Sequence, residues 1–310
     1  MRILNLQNRE ATTVTEHTVV ALGFFDGVHL GHRELLSLTV SEARSRGVSS
    51  AVLTFSESGG TGLKNGAMRL SSEGEKLELF RKLGIDYAVI LDFQSVKNMS
   101  PEEFVRDIVI GVCNAQLSVC GYNFRFGCGA SGDADTLASL MNRENAECIV
   151  YPAFNINGSP VSSTAIRNCV EAGDVKKARE LLGRPFSVTG EVYHGKGLGH
   201  TIGLPTANQY INDNIVKIKN GVYITRAYID GEYYYSVTNV GVRPTVDKDN
   251  RVNCETHIMG YNGDLYGREL KVEFLDFIRE EMRFSNVDEL KEQIYKDMKE
   301  AEKWQNSGRS

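Results

Sequence analysis

Between residue 18 and about residue 182, short apolar runs alternate with segments of helical period; beyond about residue 184 that alternation stops. The runs VVALGFF (19–25), AVLTF (51–55), YAVILDF (87–93), QLSVCG (116–121) and ECIVYPAF (147–154) are mostly continuous, as strands buried on both faces of a parallel sheet are. Parallel neighbours need crossover connections, and the helix-period segments between the runs supply them. Ser72 with Glu75 and Ser100 with Glu103 have capping-box spacing, and Pro101 suits a first helical turn. The expectation is an α/β domain built from parallel βαβ units, with helical residues at 165–182.

The second pattern is all-β. Segments such as GVYITRAYI and EYYYSVTNV are rich in aromatic and β-branched residues, and YIDGEYY and YNGDLYG read as tight turns. They predict hairpins closing into a small barrel or sandwich. In the final VDELKEQIYKDMKEAEKW, Leu290, Ile294 and Met298 share one helical face, which is expected to pack on the barrel. At 310 residues two domains are the natural reading, 1–183 and 184–310.

Composition then narrows the function. A net charge of −5 argues against a broad grip on nucleic acid but allows a local basic pocket for a phosphorylated small molecule. The six cysteines (113, 120, 128, 148, 169, 254) form no C-x-x-C pair and read as reduced core residues. The N-terminus lacks the apolar region of a signal peptide and no run of about 18 apolar residues occurs, so a cytoplasmic protein without a membrane span is expected. A homo-oligomer stays open.

The first candidate site is ALGFFDGVHLGH (21–32). A strand ending at Gly23 in a glycine-bearing loop that feeds a helix brings backbone N–H groups and the positive helix end to one volume, which favours phosphate. His29 and His32 lie three apart, and Gly31 lets the backbone approach a polyphosphate. Imidazole N–H groups there can serve ATP oxygens at an α-phosphorus undergoing displacement. Taken singly, His29 reads as a capped or core histidine. In VSSTAIR, Ser163, Thr164 and Arg167 stand at another helix start, useful for a triphosphate or merely a good N-cap. In GYNFRFG, Asn123 and the aromatic pair around Arg125, which includes Phe126, suit a planar ligand or a packed loop.

The second candidate site is GEVYHGKGLGHTIGLPTANQ (190–209). Gly195, Gly197 and Gly199 flank Lys196 in a loop able to wrap phosphates. Pro205 favours extended geometry, so Thr206 and Asn208 point the same way, offering hard oxygens to Mg2+ or forming a polar turn. In CETHI, Glu255 is either a solvated strand residue or a proton acceptor for an alcohol. A loose phosphoryl-transfer transition state lets that proton move late, so a glutamate suffices.

GFFDGVHLGH, GYNFRFG and VSSTAIR, followed by GKGLGHTIGLPTAN, NVGVRPTV, CETHI, DLYG and FIREEMRF, resemble the bacterial bifunctional riboflavin kinase/FAD synthetase family, a branch of the H-x-G-H nucleotidyltransferases. The resemblance implies a Rossmann-like nucleotidyltransferase domain followed by a riboflavin kinase β-barrel with a terminal helix. It implies phosphorylation of riboflavin to FMN and adenylylation of FMN to FAD, with ATP as co-substrate and Mg2+ as cofactor. Gly23, Phe24, Asp26, His29, Gly31, His32, Ser163, Thr164 and Arg167 would hold ATP in the first domain, with Asn123 near the reacting groups. Gly195, Lys196, Gly197, Gly199, Thr206 and Asn208 would hold Mg–ATP in the second, with Glu255 as base. Asn123, Arg125, Phe126, Arg279 and Phe284 would face flavin, although Arg279, followed by Glu280 and Glu281, also fits an ion-pair cluster.

Two departures stand out. After Thr54-Phe55 the family continues with proline and histidine, whereas this chain reads Ser56-Glu57-Ser58-Gly59-Gly60, which predicts slower adenylylation. His200 stands where arginine is frequent. The narrower alternative is a riboflavin kinase whose first domain only binds nucleotide. A non-catalytic flavin-binding module is disfavoured by the retained Glu255, Thr206 and Asn208. A Rossmann dehydrogenase is disfavoured because no G-x-G-x-x-G follows the first strand.

Overall fold

The computed structural model describes residues 1–6, 13–56, 68–195, 203–242 and 251–307. Two compact units result, one of Met1–Ala67 with Ser71–Ser163, the other of Met68–Leu70 with Thr164–Ser310.

In the first unit the strands are β1 (Arg2–Leu6), β2 (Thr18–Leu22), β3 (Ser49–Phe55), β4 (Tyr87–Leu91), β5 (Ala115–Gly121), the short pair β6 (Arg125–Phe126) and β7 (Gly132–Asp133), β8 (Glu147–Tyr151), and the short pair β9 (Asn155–Ile156) and β10 (Ser159–Pro160). Six of them form one sheet, ordered β1-β4-β3-β2-β5-β8, in which every pairing is parallel. Every residue of β2 and β4 is buried, as their largely apolar sequences require. Helices α1 (Leu30–Arg46), α2 (Glu73–Lys82), α3 (Phe93–Val96), α4 (Pro101–Glu103, continuing as a π-helical stretch over Phe104–Ile110) and α5 (Ala134–Arg143) connect the strands. One apolar layer joins Leu36 and Phe80 to Val19 and Val52; the other joins Phe104, Leu137 and Met141 to Val20 and Val89. Both faces of the sheet are therefore covered.

Chain order reverses at β2. From there β3 and β4 lie to one side, β5 and β8 to the other. In open parallel sheets ligands bind beyond the carboxyl ends of strands at such a switch point, and the histidine loop follows β2 as the Asn123 loop follows β5.

Four features of the fold differ from what the sequence predicts. Strand β1 was not expected: its residues are mostly half-buried or exposed, so it lacks the apolar run of an interior strand, yet it pairs along β4 at the sheet edge. The apolar runs also outlast the strands, because Gly23–Phe25 and the residues after Leu91 and Tyr151 are loop or helix rather than ladder. The segment 165–182 is two helices, α6 (Ser163–Ala172) and α7 (Val175–Leu182), separated where Gly173 adopts a φ of +79° and Asp174 caps α7 by accepting from the Lys177 N–H. Finally, all six cysteines are free, but only Cys113, Cys120 and Cys254 are buried; Cys128 is exposed, in a turn that carries no core face.

The second unit carries β11 (Phe186–Glu191), β12 (Ala207–Tyr210), β13 (Gly221–Ile229), β14 (Glu232–Val242), β15 (Val252–Ile258), β16 (Glu269–Arg279) and α8 (Val287–Asn306). The strands form a nearly closed antiparallel barrel ordered β11-β16-β13-β14-β15-β12. Its two ends approach at Gly190, where a Cβ would stand 2.9 Å from the Tyr210 carbonyl oxygen. Asp230 and Gly231, both at positive φ, make the tight β13–β14 turn expected of an Asp-Gly pair. YNGDLYG does not make a hairpin: β15 pairs with β14 and β12, and β16 with β11 and β13, so residues 259–268 are a longer connection between strands that are not neighbours. As expected, α8 packs on the barrel, but its deepest residues are Asp297, Ala301 and Trp304, with Met298 beside them.

Candidate active sites

Three consecutive features shape the first site. Beyond β2 the chain turns through Phe25 (φ +54°), Gly27 (φ +72°) and Val28 (φ +38°), a conformation that costs energy at a bulky and at a β-branched residue. The turn buries Phe25, Asp26 and Val28 and delivers His29 as the N-cap of α1. His29 Nδ1 accepts from the His32 backbone N–H at 3.3 Å, and the two imidazoles stack with centroids 3.6 Å apart and planes 15° from parallel. Accepting at Nδ1 leaves Nε2 as the protonated nitrogen of a neutral His29. The edge of Phe25 lies against His32, with ring centroids 5.3 Å apart.

His32 Nδ1 is buried without a hydrogen-bond partner among the described residues. Burial, then His29, then Lys76 hold the His32 pKa well below the usual histidine range, so this ring is neutral at neutral pH. Gly31 has less open space than the sequence suggested: a Cβ there would meet the Cβ of Phe154 at 3.2 Å and the His29 ring at 3.4 Å. Its bareness lets the helix start approach Phe154. Gly23 and Phe24 are half-buried, and the Phe24 carbonyl accepts from Thr54 Oγ1 at 3.0 Å.

Lys76, absent from the sequence reading, belongs beside these groups. It is 4 % exposed, its Nζ donates to Thr54 Oγ1 and to the Phe55 carbonyl, both at 3.2 Å, and the ammonium lies 5.2 Å from the centroid of Phe24. A cation near the amino end of a helix opposes the helix dipole. That misplaced charge, beside Glu73 and Glu75 in the opening of α2, is the signal that could have found it.

Of the remaining first-site residues, Ser163 is joined to the histidine loop: its Oγ donates to the Asp26 carbonyl at 3.0 Å. Thr164 and Arg167 fall in the second unit, where Arg167 Nε donates to the Met68 carbonyl at 2.7 Å. Asn123 is exposed in the loop after β5, and Arg125 pairs with Asp133 at 3.0 Å. Asp133 also caps α5; the Thr136 backbone and hydroxyl bonds, then Arg125, bring its pKa down to about 2. Phe126 requires a correction. It is 6 % exposed, stacked under Phe124 and against Phe104 in the core, so its face is already occupied.

In the barrel, Asn208 and Glu255 are direct partners across the β12–β15 ladder. Asn208 is 5 % exposed; its Nδ2 donates to the Thr206 carbonyl at 3.3 Å, while its Oδ1 is buried with no hydrogen-bond partner among the described residues. Such an acceptor is costly unless a ligand satisfies it, and a hard amide oxygen next to Thr206 suits Mg2+. His257 bonds the Pro205 carbonyl at 2.9 Å, tying the β15 segment to the turn before β12. Gly195 lies against Asn208: a Cβ there would stand 2.6 Å from Nδ2. Lys196, Gly197, Gly199 and His200 lie outside the described residues, as do residues 57–60 of the altered first-domain loop.

Arg279 requires a second correction. Its guanidinium clasps Asp297 of α8, with Nη2 to Oδ2 at 2.7 Å and Nε to Oδ1 at 3.1 Å, and the side chains are 18 % and 3 % exposed. Gln293 adds a bond to Asp297 at 2.9 Å. The fork holds the helix on the barrel through an ion pair, the kind of contact the sequence left open for Arg279 beside the flavin one. Phe284 is half-buried in the segment between β16 and α8.

Comparison with known proteins agrees across both units. The family profile described as FAD synthetase matches residues 11–165, and that described as riboflavin kinase matches residues 182–305. The bifunctional riboflavin kinase/FMN adenylyltransferase of Bacillus subtilis (strain 168) is 33 % identical over 290 residues, covering 92 % of this chain and 91 % of that protein. The protein of the same name from Pseudomonas fluorescens is 35 % identical, covering 90 % of each. A solved structure titled as a macrolide-efflux protein from Streptococcus pneumoniae superposes with a TM-score of 0.87 at 30 % identity, over 97 % of this chain and 99 % of that one. Among the described residues no helix is long and apolar enough to cross a membrane. Similarity that spans both units at this level places the chain in the bifunctional riboflavin kinase/FMN adenylyltransferase family.

Proposed function

We infer that the barrel transfers the γ-phosphoryl group of ATP to the terminal hydroxyl of riboflavin, giving FMN and ADP, and that the α/β unit joins FMN to the AMP portion of ATP, giving FAD and pyrophosphate. The observation that carries the reading is the buried Asn208 Oδ1, without a hydrogen-bond partner among the described residues, on the residue paired with Glu255 across the ladder. In the barrel, Thr206 and Asn208 would hold Mg2+. When bound, the ion supplies positive charge that offsets the charge of the phosphate oxygens. Glu255 orients the riboflavin hydroxyl and accepts its proton as the oxygen bonds phosphorus, while the O–P bond to ADP breaks.

In the α/β unit a phosphate oxygen of FMN attacks the α-phosphorus and pyrophosphate departs. The neutral His29 offers Nε2–H to the nucleotide, His32 stacks behind it, and Lys76 adds positive charge where negative charge accumulates. Ser163, fixed on the Asp26 carbonyl, adds a nucleotide contact, with Asn123 and Arg125 toward the flavin. ATP and the flavins are the partners, the cytoplasm is the compartment, and 1–183 and 184–310 are the functional divisions.

Incubation with riboflavin, ATP and Mg2+ followed by flavin separation tests the reading. Glu255→Gln should stop FMN formation while added FMN still becomes FAD, and His29→Ala should do the reverse; loss of both reactions in either variant would refute separate sites. Because the loop from Ser56 to Gly60 departs from the family, FMN accumulating without FAD would select a kinase whose α/β unit only binds nucleotide.

A further inference from the structure

We propose that Tyr193 and Asn253 form a positioning relay that fixes the Glu255 carboxylate opposite Asn208. The inference rests on Glu255 being the proton acceptor and adds residues that neither the sequence motifs nor the family comparison singles out. Tyr193 hydroxyl donates to Asn253 Oδ1 at 2.6 Å, and Asn253 Nδ2 donates to Glu255 Oε1 at 3.3 Å. The polarity follows from chemistry. The carboxylate oxygen needs a donor, so Asn253 must turn its NH2 toward Glu255, and the tyrosine proton secures that orientation by occupying the amide oxygen. A side chain 2 % exposed, as Asn253 is, has little water with which to exchange these bonds.

Tyr193 is itself held from two further directions. Its backbone N–H donates to the Asn208 carbonyl at 2.9 Å, and its ring stacks on Tyr210 with centroids 4.4 Å apart and planes 9° from parallel. Tyr210 is in turn the ladder partner of Asn253, one pleat along from the Asn208 and Glu255 pair. One residue, two positions before Gly195, therefore links the start of the glycine loop, the Mg2+-binding strand and the strand bearing the base. A group that must accept a proton late in the reaction depends on holding one rotamer, and a relay of this kind supplies that restraint.

The test measures steady-state FMN formation by the full chain. Tyr193→Phe should lower kcat about tenfold with the KM values for riboflavin and ATP within about twofold. Tyr193→Phe combined with Asn253→Ala should lose no more than Asn253→Ala alone. Unchanged kcat in Tyr193→Phe, a change confined to KM, or additive losses in the double variant would overturn the relay while Glu255→Gln stays inactive. An active Glu255→Gln would overturn the base assignment and the relay with it.

Discussion

Asn208 and Glu255 face each other across one rung of the β12–β15 ladder, although 47 residues separate them in the chain. The rung places a half-buried carboxylate and a buried amide oxygen, without a hydrogen-bond partner among the described residues, on the same face of the barrel. Neighbouring groups depend on this arrangement.

Gly195 is the most sensitive neighbour. In Gly195→Ala the new methyl would overlap the Asn208 amide, which is almost fully buried and cannot swing aside cheaply. Riboflavin phosphorylation should fall at least about tenfold, through displacement of the amide proposed to hold Mg2+, and more Mg2+ should be needed for half-maximal rate. Conversion of supplied FMN to FAD by the same sample should be unchanged.

The His32 ring makes the α/β unit acid-sensitive. Its pKa is lowered in the folded state, so as pH falls the unfolded chain takes up the proton first. The stability contribution is complete above the unfolded value of about 6.5 and is lost progressively below it. Thermal unfolding of the wild-type chain should show a midpoint falling from pH 7 to pH 5, and His32→Gln should flatten that slope.

Lys76→Met keeps most of the side-chain volume and removes the charge. Adenylylation of FMN should drop roughly a hundredfold, the range seen when one preorganised donor is taken from developing negative charge. Phosphorylation of riboflavin should continue, and a rate profile of both reactions checks the difference.

The Arg279–Asp297 pair should register as stability. Asp297→Ala leaves a guanidinium with little solvent and should cost about 3 kcal/mol in urea unfolding of the barrel. Replacing both partners, Arg279→Met with Asp297→Leu, should recover much of that loss, because paired apolar groups need no desolvated charge. Riboflavin KM in the double variant should stay near the wild-type value.

Period and composition alone predicted the parallel sheet, the β-rich second half and the terminal helix, because each follows from residues close together in the chain. Continuous apolar runs report burial on both faces, Asp230-Gly231 reports its own turn, and the spacing of His29 and His32 reports that their rings share one side of a helix start. Pairing over distance was not legible. That β1 completes the sheet at its edge, that β15 neighbours β12 and not β16, and that Asn208 meets Glu255 are decided by hydrogen bonding between segments far apart in sequence. Residue types also hid their commitments: Phe126 and Arg279 look suited to a flavin until the fold shows one ring in the core and one guanidinium on Asp297. Lys76 looked like helix surface until burial set it beside the histidines. Local chemistry is written in neighbouring residues, whereas the use of a side chain depends on which distant groups compete for it, and packing settles that competition.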